Sequence, residues 1–295
     1  APSGDGTITL GMIGPLTGSV AVYGTHIENG VKLAIEEINA AGGVTLSDGA
    51  HQLAVETKDD QGDATECVNA MNALISDGIQ LVVGSATSGC TSAITSIANS
   101  EGVVMITPSG TADSLTTAMD YVFRTCFLDN TQAVAMAEYA ANTLKAQKVA
   151  VLYDITDDYS LGLAEAFQAE AEAKGMEVVA YESFQSTDTD FKSQLSKITS
   201  AGPDALYVPS YYNTNALIAI QAREVGLTAQ LLGGDGWDGL EGYATNDQLK
   251  DTYFCANYAK GSSPDFENAY KEKYGEDYPN GFSPLGYDAA KTVVY

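Results

Sequence analysis

Short apolar runs rich in β-branched residues alternate with stretches of helical periodicity, twice over, and this alternation restricts the fold more than any other feature of the chain. Thr7–Ile13 reads as a strand. From about Thr25 to Ala41, Ile27, Val31, Ala34, Ile35 and Ile38 recur at helical spacing until Gly42-Gly43 ends the pattern. Strand-type runs at Gln52–Lys58, Ile79–Val83 and Val103–Thr107 enclose helical patterns at Ala64–Ser76 and Thr91–Ser100. After an extended stretch, Tyr121–Phe127, the order restarts. Helices at Thr131–Leu144, Leu161–Lys174, Asp190–Thr199 and Thr214–Val225 alternate with strands at Lys148–Asp154, Glu177–Phe184, Ala205–Pro209 and Leu231–Gly233. Strands alternating with helices imply parallel sheets covered on both faces. Two such series predict an α/β protein of two doubly wound parallel-sheet lobes joined by a hinge. A second extended segment, Tyr253–Ala256, and the helical pattern Phe266, Ala269, Tyr270, Tyr274 return the chain to the first lobe. The expected division is 1–124 with 256–295 for lobe 1 and 125–255 for lobe 2.

A length of 295 residues suits two such lobes. Fourteen Lys and Arg against thirty-nine Asp and Glu leave a net charge of −25, which repels nucleic acid and anionic lipid surfaces. At 45% hydrophobic and 18% charged residues the composition is that of a folded chain, with no apolar run of the roughly 18 residues that a membrane span requires. The start, Ala1-Pro2-Ser3-Gly4-Asp5-Gly6, lacks the parts of a signal peptide and reads as a flexible leader. No nucleophile elbow, P-loop or dinucleotide fingerprint is present, and two histidines, His26 and His51, give little acid–base capacity. A non-enzymatic role without a cofactor is expected. Asp59, Asp60 and Asp63 are not spaced as a calcium loop and read as a solvated turn. Cys67, Cys90, Cys126 and Cys255 form no C-x-x-C pair, so a zinc or thioredoxin-like site is not expected. Buried thiols and two disulfides both remain open.

Doubly wound sheets bind ligands outside the carboxyl ends of their strands. In the first lobe the loops at those ends are Gly14–Gly24, Gly84–Gly89 and Pro108–Thr111, which offer hydroxyls and glycine amides. In the second they are Asp157-Asp158-Tyr159, Ser210–Asn213 and Gly233-Gly234-Asp235-Gly236-Trp237, which offer aromatics and a carboxylate. Singly, such residues serve as N-caps and turns. Together they describe the two ends of a zwitterion: hydroxyl and amide donors for a carboxylate, and an acidic group among tyrosines for an ammonium.

The motifs Ile13-Gly14-Pro15-Leu16-Thr17-Gly18, Tyr23-Gly24, Ile38–Gly43, Lys58-Asp59-Asp60 and Val104–Thr111 resemble the branched-chain amino-acid-binding proteins. The likeness continues through Phe123-Arg124-Thr125, Asp158–Gly162 and Gln221–Leu227. It implies the type I periplasmic binding protein fold, and the role of an extracellular or periplasmic receptor for an ABC importer, free or lipid-anchored. The partners implied are a small-molecule ligand, an amino acid, and a membrane permease; the receptor is expected to be a monomer that closes its lobes on the ligand. Position by position, Ser88, the Ser109 backbone and Thr111 resemble the α-carboxylate site, Asp235 the ammonium partner, and Tyr159 and Tyr211 the lobe-2 cover. Tyr23, Ala86, Thr87 and Phe282 resemble the side-chain subsite. Arg124 and Arg223 are on no pocket loop by this reading, which leaves neutral donors for the carboxylate. Ala86 and Thr87 are small or polar, and Asp235 is shorter than the glutamate usual in the family, so the subsite is expected to be roomier or more polar. Receptors for an amide, urea or an aromatic acid, and a sensory module of the same fold, are the alternatives. The resemblance also implies that Cys67 and Cys90 lie near a disulfide position of some relatives. Cys126 and Cys255 fall on the two crossings and are expected close enough to bridge or to stay as buried thiols. The family pattern continues past a helix like Gly286–Tyr295 into a third crossing.

Overall fold

The computed structural model describes residues 6–240, 242–275 and 280–294. The leader 1–5 and Tyr295, the last residue of the final helical pattern, lie outside them. The chain divides into two compact units: Ala1–Cys126 with Asn257–Tyr295, and Phe127–Ala256.

In the first unit the order is β1 (Thr7–Gly14), α1 (Ala21–Ala40), β2 (Val44–Leu46), β3 (Gly49–Asp59), α2 (Ala64–Ser76), β4 (Leu81–Val83), α3 (Ser88–Glu101), β5 (Val104–Thr107) and β6 (Val122–Arg124). The sheet runs β2-β3-β1-β4-β5-β6. All neighbours are parallel except β2 and β3, whose hairpin closes through Ser47-Asp48. β1 is flanked by β3 on one side and β4 on the other. The winding reverses there, so the loops after β1 and β4 splay apart and open a crevice at their carboxyl ends. One face of the sheet is sealed by α2 and α3, where Cys67, Met71, Leu74, Ile94 and Ala98 pack on Ile13, Val82 and Met105.

The second unit holds α4 (Asp129–Glu138), β7 (Lys148–Asp154), α5 (Asp158–Ala173), β8 (Glu177–Phe184), α6 (Lys192–Ala201), β9 (Ala205–Tyr207), α7 (Tyr212–Glu224), β10 (Gln230–Gly233) and β11 (Thr252–Phe254). Its parallel sheet runs β11-β10-β9-β7-β8, with the reversal at β7. Phe167, Leu163, Met136 and Tyr207 fill the core on the α4–α5 side, Phe167 stacked on Tyr207 at 4.2 Å. Each fully buried large apolar side chain of this kind contributes roughly 1.5–3 kcal/mol. Finally, α8 (Pro264–Tyr274) and α9 (Phe282–Val294) rejoin the first unit, α9 lying along α1.

Three differences from the sequence reading have physical causes. The hairpin partner β2 is too short to show periodicity. α4 ends at Glu138 and gives way to a π-helical turn, Tyr139–Thr143, where one continuous helix was expected. Helices α3, α5 and α7 begin two or three residues before their apolar pattern does, because their first turns are polar or aromatic and face the strand ends, and α1 begins four residues before, at Ala21.

Candidate functional site

The first unit gathers Ser88, Ser109, Thr111, Tyr23, Ala86, Thr87 and Phe282 at the carboxyl end of its sheet, and all seven are buried. Thr87 is the N-cap of α3, its Oγ1 accepting from the Cys90 N–H at 3.4 Å. Ser88 therefore sits in the first helical turn, where backbone N–H groups point outward and favour an anion. The β4–α3 loop is tied to the β5 loop by side chains. Thr107 Oγ1 donates to the Ser85 carbonyl at 2.8 Å, Ser109 Oγ to the Ala86 carbonyl at 2.7 Å, and the Ala112 N–H to Ser88 Oγ at 3.2 Å. The Ser109 hydroxyl is thus spent on the scaffold, which leaves its backbone for any ligand. Thr111 Oγ1 is buried with no hydrogen-bond partner among the described residues. Tyr23 stacks on Phe282 at 4.2 Å, so α1 and α9 together supply one apolar wall.

Two residues that hold this half-site escaped the sequence reading. Arg124, on β6, reaches back to the loop: its Nη1 donates to the Gly110 carbonyl at 3.0 Å and its Nη2 to the Ala112 carbonyl at 2.9 Å, flanking Thr111. It is on no pocket loop, yet its planar fork fastens one. Asp60, fully buried, accepts from Ser85 Oγ and from the Gly62 N–H. Burial raises its pKa, against the opposing effect of the Ser85 hydroxyl. Asp59 accepts at Oδ1 from the N–H groups of Leu16, Thr17 and Gln61, and so ties the β1–α1 loop to the end of β3. Asp60 and Asp59 are therefore structural acceptors, where the sequence reading expected a solvated turn.

The second unit builds its half-site around Asp235, in a 3-10 turn at Asp235–Trp237 directly after β10. Its Oδ1 accepts from the Tyr159 hydroxyl at 2.9 Å and from Gln132 Nε2 at 3.0 Å. Tyr159 is in the first turn of α5, whose N-cap Asp157 accepts from the Ser160 N–H at 3.0 Å. The Tyr159 oxygen also accepts from the Gly236 N–H at 2.9 Å. Side chains on the flanking glycines would break this nest: a Cβ on Gly234 would lie 2.7 Å from the Tyr159 hydroxyl, and one on Gly236 2.5 Å from the Ser210 carbonyl. Trp237 anchors the turn from below, with its ring fully buried and Nε1 donating to the Val208 carbonyl at 2.6 Å. Tyr211 stacks on Tyr159 at 5.2 Å and 10°, a flat aromatic face suited to a cation or an apolar stem. Burial first, and then the Asp235 charge, push the Tyr159 hydroxyl far above its ordinary pKa, so it remains a neutral donor. Burial also raises Asp157, to about 6. Gln132 and Asp129 belong to this half-site and were missed, since neither stands on a strand-end loop.

All four cysteines are free thiols. Cys67, Cys90 and Asp60 bring their ligand atoms within 4.8 Å of one another. The neighbouring Cys90 and then burial push the Cys67 thiol far above its usual range. Cys126 Sγ donates to the Gly110 carbonyl at 3.4 Å, and Cys255 Sγ to the Gln132 carbonyl at 3.6 Å.

Comparison with known proteins supplies the family. The family model described as periplasmic binding protein matches residues 7–295. The Leu/Ile/Val-binding protein BraC3 of Rhizobium johnstonii is 35% identical over 296 residues, covering 100% of this chain and 79% of that protein. The Leu/Ile/Val-binding protein homolog 3 of Brucella melitensis is 37% identical over 238 residues, 80% of this chain; the match spans 63% of the relative's length, less than two thirds. Among solved structures, the branched-chain amino acid transporter substrate binding protein LivJ from Streptococcus pneumoniae, in complex with isoleucine, superposes with a TM-score of 0.89 at 36% identity, over 98% of this chain and 83% of that one. The leucine binding protein LivK from Thermotoga maritima gives 0.88 at 32%, over 97% and 81%. Two parallel-sheet units, strand-end half-sites and a match along nearly the whole length converge: the chain belongs to the periplasmic binding protein family.

Proposed function

We propose that this chain is the substrate-binding receptor of an ABC importer and that its ligand is a neutral α-amino acid, with branched-chain side chains foremost. The observation that carries the reading is Asp235, a buried carboxylate held by Tyr159 and Gln132 beside the stacked face of Tyr211. A carboxylate set among a tyrosine hydroxyl and a side-chain amide suits an α-ammonium, which adds a charge-assisted hydrogen bond there. The donors at the start of α3 and around Thr111 suit the carboxylate of the same ligand, and the Tyr23–Phe282 wall with Ala86 and Thr87 suits an apolar side chain. The leucine, isoleucine and valine receptors among its relatives support this choice. We read the protein as a monomeric receptor on the outer side of a cytoplasmic membrane, delivering to a permease. The described helices include none long and apolar enough to cross a membrane. We also read it as non-catalytic. His51 is engaged by Asp48, and the contact of His26 with Ser283 involves a fully enclosed serine hydroxyl that no substrate can meet.

The test is thermal unfolding of ligand-stripped protein with L-leucine, L-isoleucine, L-valine, their deaminated acids, short amides, urea and benzoate. Saturation at about 100 times the dissociation constant adds roughly 2.7 kcal/mol, several degrees for units of this size. A shift with the amino acids, lost with the deaminated acids, is expected. Asp235→Ala should weaken amino-acid binding by roughly 3–5 kcal/mol. Wild-type affinity in that variant, or equal shifts with deaminated acids and amides, would overturn the assignment.

A further inference from the structure

We propose that Gln132 is the positioning residue of the ammonium site, its side-chain amide fixing Asp235 from both sides. This rests on the amino-acid reading above. Gln132 is on α4, 2% exposed. Its Nε2 donates to Asp235 Oδ1 at 3.0 Å and to Asp129 Oδ1 at 3.1 Å, while its Oε1 accepts from the Asp235 backbone N–H at 2.9 Å. One amide thus grips the main chain and the carboxylate of the same residue, and a second carboxylate besides. The amide orientation is dictated by chemistry: the opposite flip would set a carbonyl oxygen against two carboxylates and an N–H against an N–H.

Among the described residues, the groups around this nest include Asp129 and Gln132 from α4, Tyr159 from α5, Tyr207 from β9, Asp235 after β10 and Cys255 after β11. Burial raises Tyr159, Tyr207 and Cys255, the last to about 11, so none of the three carries charge at neutral pH. The formal charges among these six are the two carboxylates. Asp129 and Asp235, each 4% exposed, share the two N–H donors of one neutral amide. Gln is the side chain that does this without adding charge: Glu lacks the donors when ionised, and Met or Leu lacks donor and acceptor alike.

That difference yields a test that a merely structural role would not pass. In Gln132→Glu, a protonated carboxyl keeps the acceptor for the Asp235 N–H and one O–H donor for its carboxylate, whereas an ionised one loses the donor and adds a third negative charge. Affinity for L-leucine is measured by calorimetry from about pH 5.5 to about pH 9, a range that brackets a carboxyl raised by burial and like charge. For this variant, the Kd relative to wild type at the same pH should stay near one at the acid end and rise by about tenfold or more at the alkaline end, the loss of a hydrogen bond to a charged group. Gln132→Met should be weak at every pH. A flat ratio for Gln132→Glu overturns the proposal, whether its value is near one or uniformly high. A second measurement needs no variant. In wild type carrying ¹⁵N-labelled glutamine, one side-chain amide pair should shift with L-leucine and stay in place with 4-methylpentanoate, which lacks the ammonium. Absence of any amide shift with L-leucine at saturation overturns it equally. If wild type itself shows no affinity for α-amino acids, the amino-acid reading fails and takes this inference with it, an outcome told apart by the unmutated protein alone.

Discussion

Thr111 shows how much one hydroxyl reveals. A buried Oγ1 with no partner among the described residues costs stability in the free state, a cost that a ligand's acceptor would remove. Thr111→Val should therefore leave unfolding of the ligand-free protein unchanged or raise it by up to about 1 kcal/mol, while amino-acid affinity falls. Denaturant titration beside calorimetry checks both, and a loss of stability without a loss of affinity would make the hydroxyl structural. Asp157 gives a pH signature. Its folded carboxyl is raised to about 6, chiefly by burial, above its unfolded value near 3.8. The folded state then binds more protons than the unfolded one between these values, so this group's contribution falls as pH rises through that window and is fully lost above about 6. Asp157→Asn keeps an N-capping side chain and removes the titration. Its stability should show a shallower decline from pH 4 to 7 than wild type in parallel melts.

At the scale of elements, Arg124 ties β6 to the Gly110–Thr116 segment through the carbonyls of Gly110, Ala112 and Asp113 and the Thr116 hydroxyl, the last at 3.1 Å from Nη2. Lysine offers one point of attachment where the guanidinium offers a fork. Arg124→Lys should thus lower ligand affinity more than it lowers the melting point. The other element-scale device is the pair Cys67 and Cys90, on α2 and α3. We propose that they bridge by exchange with a disulfide oxidant, which takes up the two electrons and two protons as two thiols, linking the two helices behind the β4–α3 loop. Non-reducing peptide mapping should recover the 67–90 crosslink, and reduction should cost roughly 2–4 kcal/mol; recovery of alkylated thiols only, after oxidation, would refute it.

The elements themselves were legible because buried parallel strands and amphipathic helices write their periods directly into the chain. The helix starts were not, since Ser88, Tyr159 and Tyr212 occupy first turns that face strand ends and carry no apolar repeat. Site chemistry was legible where it lay on strand-end loops, as with Gly233–Trp237. Gln132 and Arg124 act on those loops from a helix and an edge strand, and only the folded arrangement brings Gln132 to Asp235, 103 positions away. Aspartates 59 and 60 looked like a solvated run because sequence shows the charges without showing the backbone amides and the serine hydroxyl that donate to them.

For the whole molecule, a charge of −25 means that the compact state works against its own field. Added sodium chloride should screen that repulsion and raise the melting point of the ligand-free protein, because the Debye length falls to about 3 Å at 1 M. A melting point insensitive to salt would mean that the repulsion is already compensated locally.

The composition of the first unit carries one more consequence. His26 on α1 meets Ser283 on α9 across 257 positions, and Tyr274 on α8 donates to the Asn29 carbonyl across 245. Residues 127–256, which hold the second unit's five described strands, lie wholly inside that span. During synthesis, therefore, β7 to β11 have all left the ribosome while the first unit still lacks α8 and α9. The usual amino-terminal-first order is thereby disturbed: the face of α1 that packs on α8 and α9 stays uncovered until five strands of the later-made unit are already available to pair.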